Sequence, residues 1–500
     1  MGSAELLLAI AAALMLLMSG GFLAYVALIL FHFSKKKSHA MGNASEYQWH
    51  MFIPCRDEEP VIGNTLLYLR DRFPRAHFWV IDDASSDQSV EVIRQQARED
   101  PHVHLIQRRI PEARTGKGDA LNAGYRALCQ WLPAHTNREK VIVMVVDADG
   151  LPSSNLLDLC GGPDLFANPR IAAVQVEVRM VNRNDEFPLS RQSSSANSLA
   201  RLLVRLQDIE FRCPISATQV LRRKVGTVAM GGNGQLTRLA ALDTIATDRG
   251  PWKGSLLEDF EIGLHLLFAG YQTEYTTDAW IDQEGLPSLR AFLRQRSRWS
   301  QGVMQCMRYL KIVWASPHFT TRGCIEVSYY LLQPWLFILG TFLYPIPILL
   351  FARASSFGPQ GPLYAIVHDG WWLFLAFFFL IGILPFMSWP IIYIRRHERT
   401  FGLMQGLRWG FAYSAYVYSF YVTAWWALWR LARHQNDWLK TQRLTELPHD
   451  LIDLRLPPPL PTPESLTPVG ASTTRASTGD WLHPENDFRR RTLASVLRQK

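Results

Sequence analysis

Six cysteines in 500 residues, at positions 55, 129, 160, 213, 306 and 324, include no C-x-x-C pair. That spacing excludes a zinc ribbon, gives no disulfide framework, and fits a compartment that keeps thiols reduced. Charge is missing too, in places where a soluble domain would carry it. No Asp, Glu, Lys or Arg occurs from Leu6 to Ser34, Val327 to Ala352, Trp371 to Ile394 or Trp409 to Trp429. Each run exceeds the ~20 residues a helix needs to cross a bilayer, so four crossings are expected. The first run is too long for a cleavable signal peptide, starts with only Glu5, and is followed by its basic cluster, Lys35-Lys36-Lys37. It reads as a retained anchor with the N-terminus outside and the chain beyond Lys37 in the cytoplasm. Four crossings would then leave the basic tail outside, against the positive-inside rule. Either one run lies in the interface or re-enters, or the tail is external.

Zinc-finger, RNP and basic-leucine patterns are absent as well. Basic residues flanking the apolar runs account for much of the net charge of +8 without a polyanion, so no nucleic-acid partner is expected. What is present divides into four parts: an anchor over 1–37, a globular region over 38–305, a membrane region with about three apolar segments over 306–445, and a Pro/Ser/Thr-rich tail over 446–500 that reads as disordered. In the globular part, His50–Pro54, Phe78–Ile81, Val141–Val146 and Ile171–Val178 read as strands. Val61–Arg72, Val90–Arg98 and Ala120–Leu132 read as intervening helices. This alternation predicts an α/β fold, a mostly parallel sheet covered by helices, with ligands beyond the carboxyl ends of the strands.

Acids gather at those ends. Strand two closes with Asp82 and Asp83 in IDDASSD, where one carboxylate serves a turn or cap and a pair asks for more. VVDADG follows the most apolar strand; in extended chain Asp147 and Asp149 project to one side. Such a pair suits a hard cation, Mg²⁺ or Mn²⁺, shared with phosphate oxygens. TGKGDALNAG fails as a P-loop, because Pro111 stands where the first Gly belongs, yet Lys117 at a helix start still suits an anion. The turn GGNG, with Gly232, Asn233 and Gly234, lets backbone approach a bulky ligand. Glu258 and Asp259 open an apolar-faced helix, where they serve as caps or Asp259 as a general base. Gln295, Arg298 and Trp299 share one helical face, so amide, guanidinium and indole point together. Arg294 and Arg296 are left to the membrane surface.

In this order, ahead of membrane helices, the motifs resemble the membrane-bound family 2 glycosyltransferases of the cellulose, hyaluronan and poly-N-acetylglucosamine synthase type. The resemblance covers Trp49 to Gly302, and WLKT, Trp438 to Thr441, is similar to a motif after the last span of relatives. It implies a cytoplasmic nucleotide-binding domain of the GT-A kind. Pro54, Glu58, Asp82, Asp83 and Lys117 would bind the nucleotide sugar, and Asp147 with Asp149 would hold the metal and diphosphate. Gln295 and Arg298 would meet the diphosphate, while Gly232, Asn233, Gly234 and Trp299 would face the acceptor. Asp259, beside Glu258, would deprotonate the acceptor hydroxyl. Leu257 replaces a usual Thr, and MGGNG replaces the phenylalanine-cysteine turn of cellulose synthases, which speaks against cellulose.

The activity so implied is inverting transfer from a UDP-sugar to a growing β-linked polysaccharide, processive and coupled to export, with a partner subunit or oligomer completing the channel. The alternative within enzymes is transfer of one sugar to a membrane lipid, which needs fewer helices. A transporter without catalysis leaves the ordered acids unexplained.

Overall fold

The computed structural model describes residues 3–35, 38–184, 194–349, 361–368 and 371–435. The WLKT motif and the 446–500 tail lie outside the described residues.

A long apolar helix α1 (Ser3–Phe33) precedes the α/β region. There β1 (Gln48–Cys55), α2 (Glu59–Arg72), β2 (His77–Asp83), α3 (Ser89–Glu99), β3 (Val103–Arg108), α4 (Lys117–Trp131) and β4 (Val141–Val145) alternate. They are followed by β5 (Leu151–Pro152), α5 (Leu156–Cys160), β6 (Ile171–Met180), α6 (Ser194–Glu210) and α7 (Ser216–Val225). Next come β7 (Gln235–Arg238), α8 (Leu239–Ile245), α9 (Glu258–Phe268) and β8 (Gln272–Gln283). The strands form one sheet in the order β3-β2-β1-β4-β7-β6-β8-β5. β3, β2, β1 and β4 are parallel; β7 is antiparallel to both β4 and β6. The four expected strands and three expected helices all form. The unexpected strands are the antiparallel insertion β7, the edge strands β3 and β5, and the Thr-rich β8.

Strand periodicity sorts the core into two layers. Met51, Ile53, Phe78, Val80, Ile142 and Met144 point to one face. Phe52, Trp79, Ile81, Val143 and Val145 point to the other. Every residue of β4 is buried, as a central parallel strand requires. α2 follows Glu58 with Pro60 in its first turn and buries Val61, Ile62, Thr65, Leu66 and Leu69 along one stripe.

Beyond β8 run α10 (Leu289–Cys306), α11 (Leu310–Ala315), α12 (Thr321–Leu343), α13 (Gly361–His368), α14 (Trp371–Gly382), α15 (Leu384–His397) and α16 (Leu403–Ala432). Among the described residues two helices are long and apolar enough to cross a membrane, Ala9–Phe33 and Thr321–Leu349. A third span arises if α14 and α15, bent by 41° at a break, are one unit; Pro385 at the start of α15 favours that break. Two or three candidates thus replace the four expected. The Trp409–Trp429 run lies inside α16, where hydroxyl-bearing Tyr, Ser and Thr alternate with apolar residues and Tyr413, Ser414, Tyr416, Thr423 and Arg430 are buried against protein.

The α/β region is tied to these helices by buried charge. Arg222 Nε of α7 donates to Glu326 Oε1 of α12 at 2.6 Å, and Thr227 Oγ1 donates to Glu326 Oε2 at 3.0 Å.

Candidate active site

The parallel strands deliver their carboxyl ends to one rim. There the β1–α2 and β2–α3 loops are cross-tied: Asp57 N–H donates to Ser85 Oγ at 2.9 Å, Ser86 N–H to Asp57 Oδ1 at 2.6 Å, and Glu58 N–H to Ser89 Oγ at 2.8 Å. Asp57, Ala84 and Arg114 all have positive φ, of 51°, 60° and 64°. Left-handed backbone at non-glycine residues is costly and concentrates where loops are held for a ligand.

One cleft at this rim gathers eleven of the expected residues: Pro54, Glu58, Lys117, Asp147, Gly232, Asn233, Glu258, Asp259, Gln295, Arg298 and Trp299. Four lie outside its lining. Asp83 is buried at the end of β2, where Oδ1 accepts from the Arg108 guanidinium and from Arg114 N–H at 3.0 Å. Its Oδ2 is buried with no hydrogen-bond partner. Neighbouring Asp82 accepts from Ser85 N–H at 3.3 Å, and burial raises its carboxyl above the ordinary range. Gly234, at φ 74°, packs where a Cβ would come within 2.8 Å of Ile281 and Val176.

Asp149 is the fourth. β4 ends at Val145, and Gly150 N–H closes a turn on Asp147 C=O at 2.7 Å, so the extended geometry expected for the DxD segment does not hold. Asp147 faces the cleft and accepts from Lys117 Nζ at 2.7 Å, while Asp149 Oδ2 accepts from Glu284 N–H at 2.9 Å. Thr65 Oγ1 pins the segment by donating to Ala148 C=O at 2.6 Å. Among the described residues no three His, Cys, Asp or Glu side chains converge into an all-protein metal site. A magnesium-like ion does not need one, because it keeps waters and completes its shell with one or two carboxylates plus substrate phosphates. Asp147, the acid of the pair that faces the cleft, is enough for that requirement.

Asn233 proves to be a strut. Its Oδ1 accepts from Asp147 N–H at 3.1 Å and its Nδ2 donates to Gln283 Oε1 at 2.9 Å. Gln175 Nε2 in turn donates to Asn233 C=O at 2.9 Å, so three strands hold the GGNG turn. Gly232 is required twice over: its φ is 76°, and a Cβ would sit 2.9 Å from Asp259 Oδ2.

Charge inside the cleft is concentrated. Lys117 starts α4 behind Gly116, whose φ of 141° only glycine tolerates easily, and its Nζ lies 4.0 Å from Glu258 Oε1 as well as against Asp147. Burial opposes the Lys117 charge, but Asp147, Glu258 and Asp259 hold its pKa above the ordinary value. Burial and then the adjacent Glu258 push Asp259 up to about 7. Burial raises Glu258 too, against the pull of Lys117. Arg298 is lowered by burial and held up by the same three acids; a guanidinium stays charged regardless. Asp259 Oδ1 also accepts its neighbour Phe260 N–H at 2.7 Å, the capping contact open to an acid in a first turn.

Arg296 is not at a membrane surface. It is 3% exposed and paired with Glu210, because its position on α10 faces α6 and α16. Sequence reasoning also missed Gln283, Val178, Phe211 and the Lys253–Leu256 loop, all lining the cleft. Gln283 ends a strand that carries no alternation signal, and Phe211 is a lone aromatic between Glu210 and Arg212, in a segment with no motif to single it out.

Residues 48–302 match the profile of the family described as glycosyltransferase like family 2. The chain is 29% identical over 265 residues to a beta-monoglucosyldiacylglycerol synthase of Trichormus variabilis, covering 52% of this chain and 49% of that one. Over 168 residues it is 27% identical to glucomannan 4-beta-mannosyltransferase 2 of Arabidopsis thaliana, covering 33% and 28%. It thus spans about half the length, or less, of these curated relatives. A mannosyltransferase from Pyrobaculum calidifontis, solved with GDP-Man and Mn²⁺, superposes with a TM-score of 0.53 at 18% identity, covering 86% of this chain and 99% of that one. At that identity the likeness establishes the fold alone.

Proposed function

Since the chain belongs to the family 2 glycosyltransferases, we propose that it transfers a single hexose from a UDP-sugar to a membrane lipid, with inversion at the anomeric carbon. The similarity to a glycolipid synthase carries the choice of acceptor. The two or three candidate spans among the described residues accord with it. A β-linked polymer, the product the sequence resemblance implied, is the second reading, favoured by the similarity to a glucomannan synthase.

The donor half of the cleft suits a uridine diphosphate. Asp83 Oδ2, buried and unpartnered, suits a ring N–H donor, with Pro54 and Glu58 beside base and ribose. Lys117, Gln295 and Arg298 provide the positive charge and donors that the departing diphosphate needs. Asp147 and Asp149 would hold Mg²⁺ or Mn²⁺, which when bound supplies Lewis-acid neutralisation of the diphosphate.

On the acceptor side Asp259 Oδ takes the proton of the lipid hydroxyl as that oxygen attacks the anomeric carbon. The carbon–oxygen bond to the diphosphate breaks, and the nucleotide leaves with the electron pair. A carboxyl held at about 7 is matched to a base working near neutral pH. Gly232 leaves room for the attack, and Trp299 offers a flat apolar surface for the acceptor.

The catalytic region is assigned to the cytoplasmic side. Arg396 Nη2 donates to Phe33 C=O at 2.8 Å, so the ends of α1 and α15 meet at one level. Lys35, Arg395, Arg396 and Arg399 collect there, the positive-inside pattern.

The test is product analysis. The full chain in lipid vesicles with Mg²⁺ or Mn²⁺ is given labelled UDP-glucose, UDP-N-acetylglucosamine or UDP-glucuronate. Label should extract into organic solvent as a lipid carrying one sugar; label in long water-soluble polymer would establish the second reading instead.

A further inference from the structure

Trp299 is contacted by two residues without an assigned part in the reaction, and those two also contact each other. The Arg296 guanidinium carbon lies 4.0 Å from the centre of the Trp299 ring. The Phe211 ring meets Trp299 edge-on, with centroids 6.2 Å apart and planes at 82°. Arg296 is anchored by Glu210 Oε2, which accepts from its Nη2 at 2.5 Å, and Nη2 also reaches the Tyr416 hydroxyl at 3.4 Å. Glu210 ends α6 and leads into a π-helical turn, Phe211–Ile215, that contains Pro214. π-Helical turns are rare and recur at functional sites.

A buried ion pair is the simpler account of Arg296, and it is incomplete. Nε and Nη1 of Arg296 are buried with no hydrogen-bond partner, while the guanidinium lies among the rings of Trp299, Phe292 and Phe211. A guanidinium with two idle donors is costly for stability alone. Stacked on an indole it fixes the plane of that ring.

We infer that Arg296 is a positioning residue for the acceptor: clamped by Glu210, it locks the Trp299 ring at the angle that seats the acceptor beside Asp259. The inference rests on the reading of Trp299 as acceptor platform. It ties the platform to the π turn through Glu210 and to α16 through Tyr416, so the position of those helices reaches the acceptor without touching the donor.

The experiment compares Trp299→Ala, the double variant Arg296→Met with Glu210→Met, and the triple combination. Replacing both members of a buried pair by apolar residues of similar size is often neutral for folding, so the double variant should keep its melting temperature. Each reaction is run with UDP-sugar and vesicles, and again with UDP-sugar and water as the only acceptor. The double variant should lose roughly ten- to a hundredfold in transfer to lipid, the scale of an angstrom-level misplacement. Its donor KM and its rate of UDP release to water should be unchanged. The triple variant should be no worse than Trp299→Ala, since the pair acts through that ring. Normal transfer by the double variant overturns the inference, and so does a triple variant in which the two losses multiply. If Trp299→Ala itself transfers normally, the platform reading fails instead.

Discussion

Replacing Glu258 by Gln should move the pH dependence of transfer without removing the base. Asp259 is held at about 7, against an ordinary 3.8, with burial the larger cause and the Glu258 charge the next. A raised carboxyl pKa means the base form is missing below it. At pH 6 about one Asp259 in ten is ionised, so kcat should fall about tenfold from pH 8 to pH 6. Removing the Glu258 charge takes away the second-largest cause of that rise, so the acid limb should move to lower pH. Glu258→Gln should therefore outperform the native enzyme relative to its own plateau at pH 6. Lys117→Met, which removes a charge that lowers Asp259, should move the limb the other way. The assay is initial-rate UDP release with lipid acceptor at saturating donor, from pH 5.5 to 9, with Asp259→Asn as the inactive reference. An acid limb that stays in place in both variants, or persists in Asp259→Asn, would refute Asp259 as the titrating base.

Four further outcomes follow from single contacts. Gly232→Ala places a methyl 2.9 Å from Asp259 Oδ2 on backbone at φ 76°, and should abolish transfer while far-UV circular dichroism is unchanged. Asn233→Ala removes the contacts to Asp147 N–H and the Gln283 amide; at about 1 kcal/mol for each hydrogen bond lost, a thermal melt should show a drop, and transfer should fall with it. Glu326→Gln leaves Arg222 charged and buried, and should cost about 3–5 kcal/mol, seen as a lower melting temperature in detergent that Arg222→Met in the same chain partly restores. His50 is buried beside Trp79 and His77, and burial then the neighbouring histidines lower it to about 3. The unfolded chain takes up that proton from about pH 6.5 downward and the folded chain does not. Stability should fall by about 2 kcal/mol between pH 7 and pH 5 from this group, and His50→Phe should show a shallower loss.

Local signals carried the parallel half of the sheet. β1, β2 and β4 are apolar runs that end in acids or a proline, and α2 and α4 announce themselves through Pro60 and the Gly116–Lys117 start. β7 and β8 escaped because QLTR is four residues long and QTEYTTDAWIDQ mixes polar with apolar side chains. Their places depend on which strand accepts them, and in β7 on an antiparallel insertion between β4 and β6. The site was legible as a set of motifs because each needs a residue type at a strand or helix end. Its wiring was not. That Asn233 braces Asp147, that Asp149 turns to the Glu284 backbone, and that Lys117 bridges Asp147 to Glu258 are contacts between residues 30 to 141 positions apart in the chain, made only by folding.

The same reasoning explains why Arg296, in the stretch from Leu293 to Gly302, lies elsewhere than its spacing suggests while Gln295, Arg298 and Trp299 line the cleft. Helical spacing placed Gln295, Arg298 and Trp299 on one face and left Arg294 and Arg296 for the other. On an isolated interfacial helix that other face would meet headgroups. Here α10 is covered by α6, whose last residue is Glu210, and by α16, which brings Tyr416. A basic residue is drawn inside only when an acid waits for it, and Glu210 lies 86 positions earlier. Periodicity reports which residues share a face; what that face meets is decided by segments far away in the chain. For Arg296 the partner converts an expected surface anchor into a part of the wall behind Trp299.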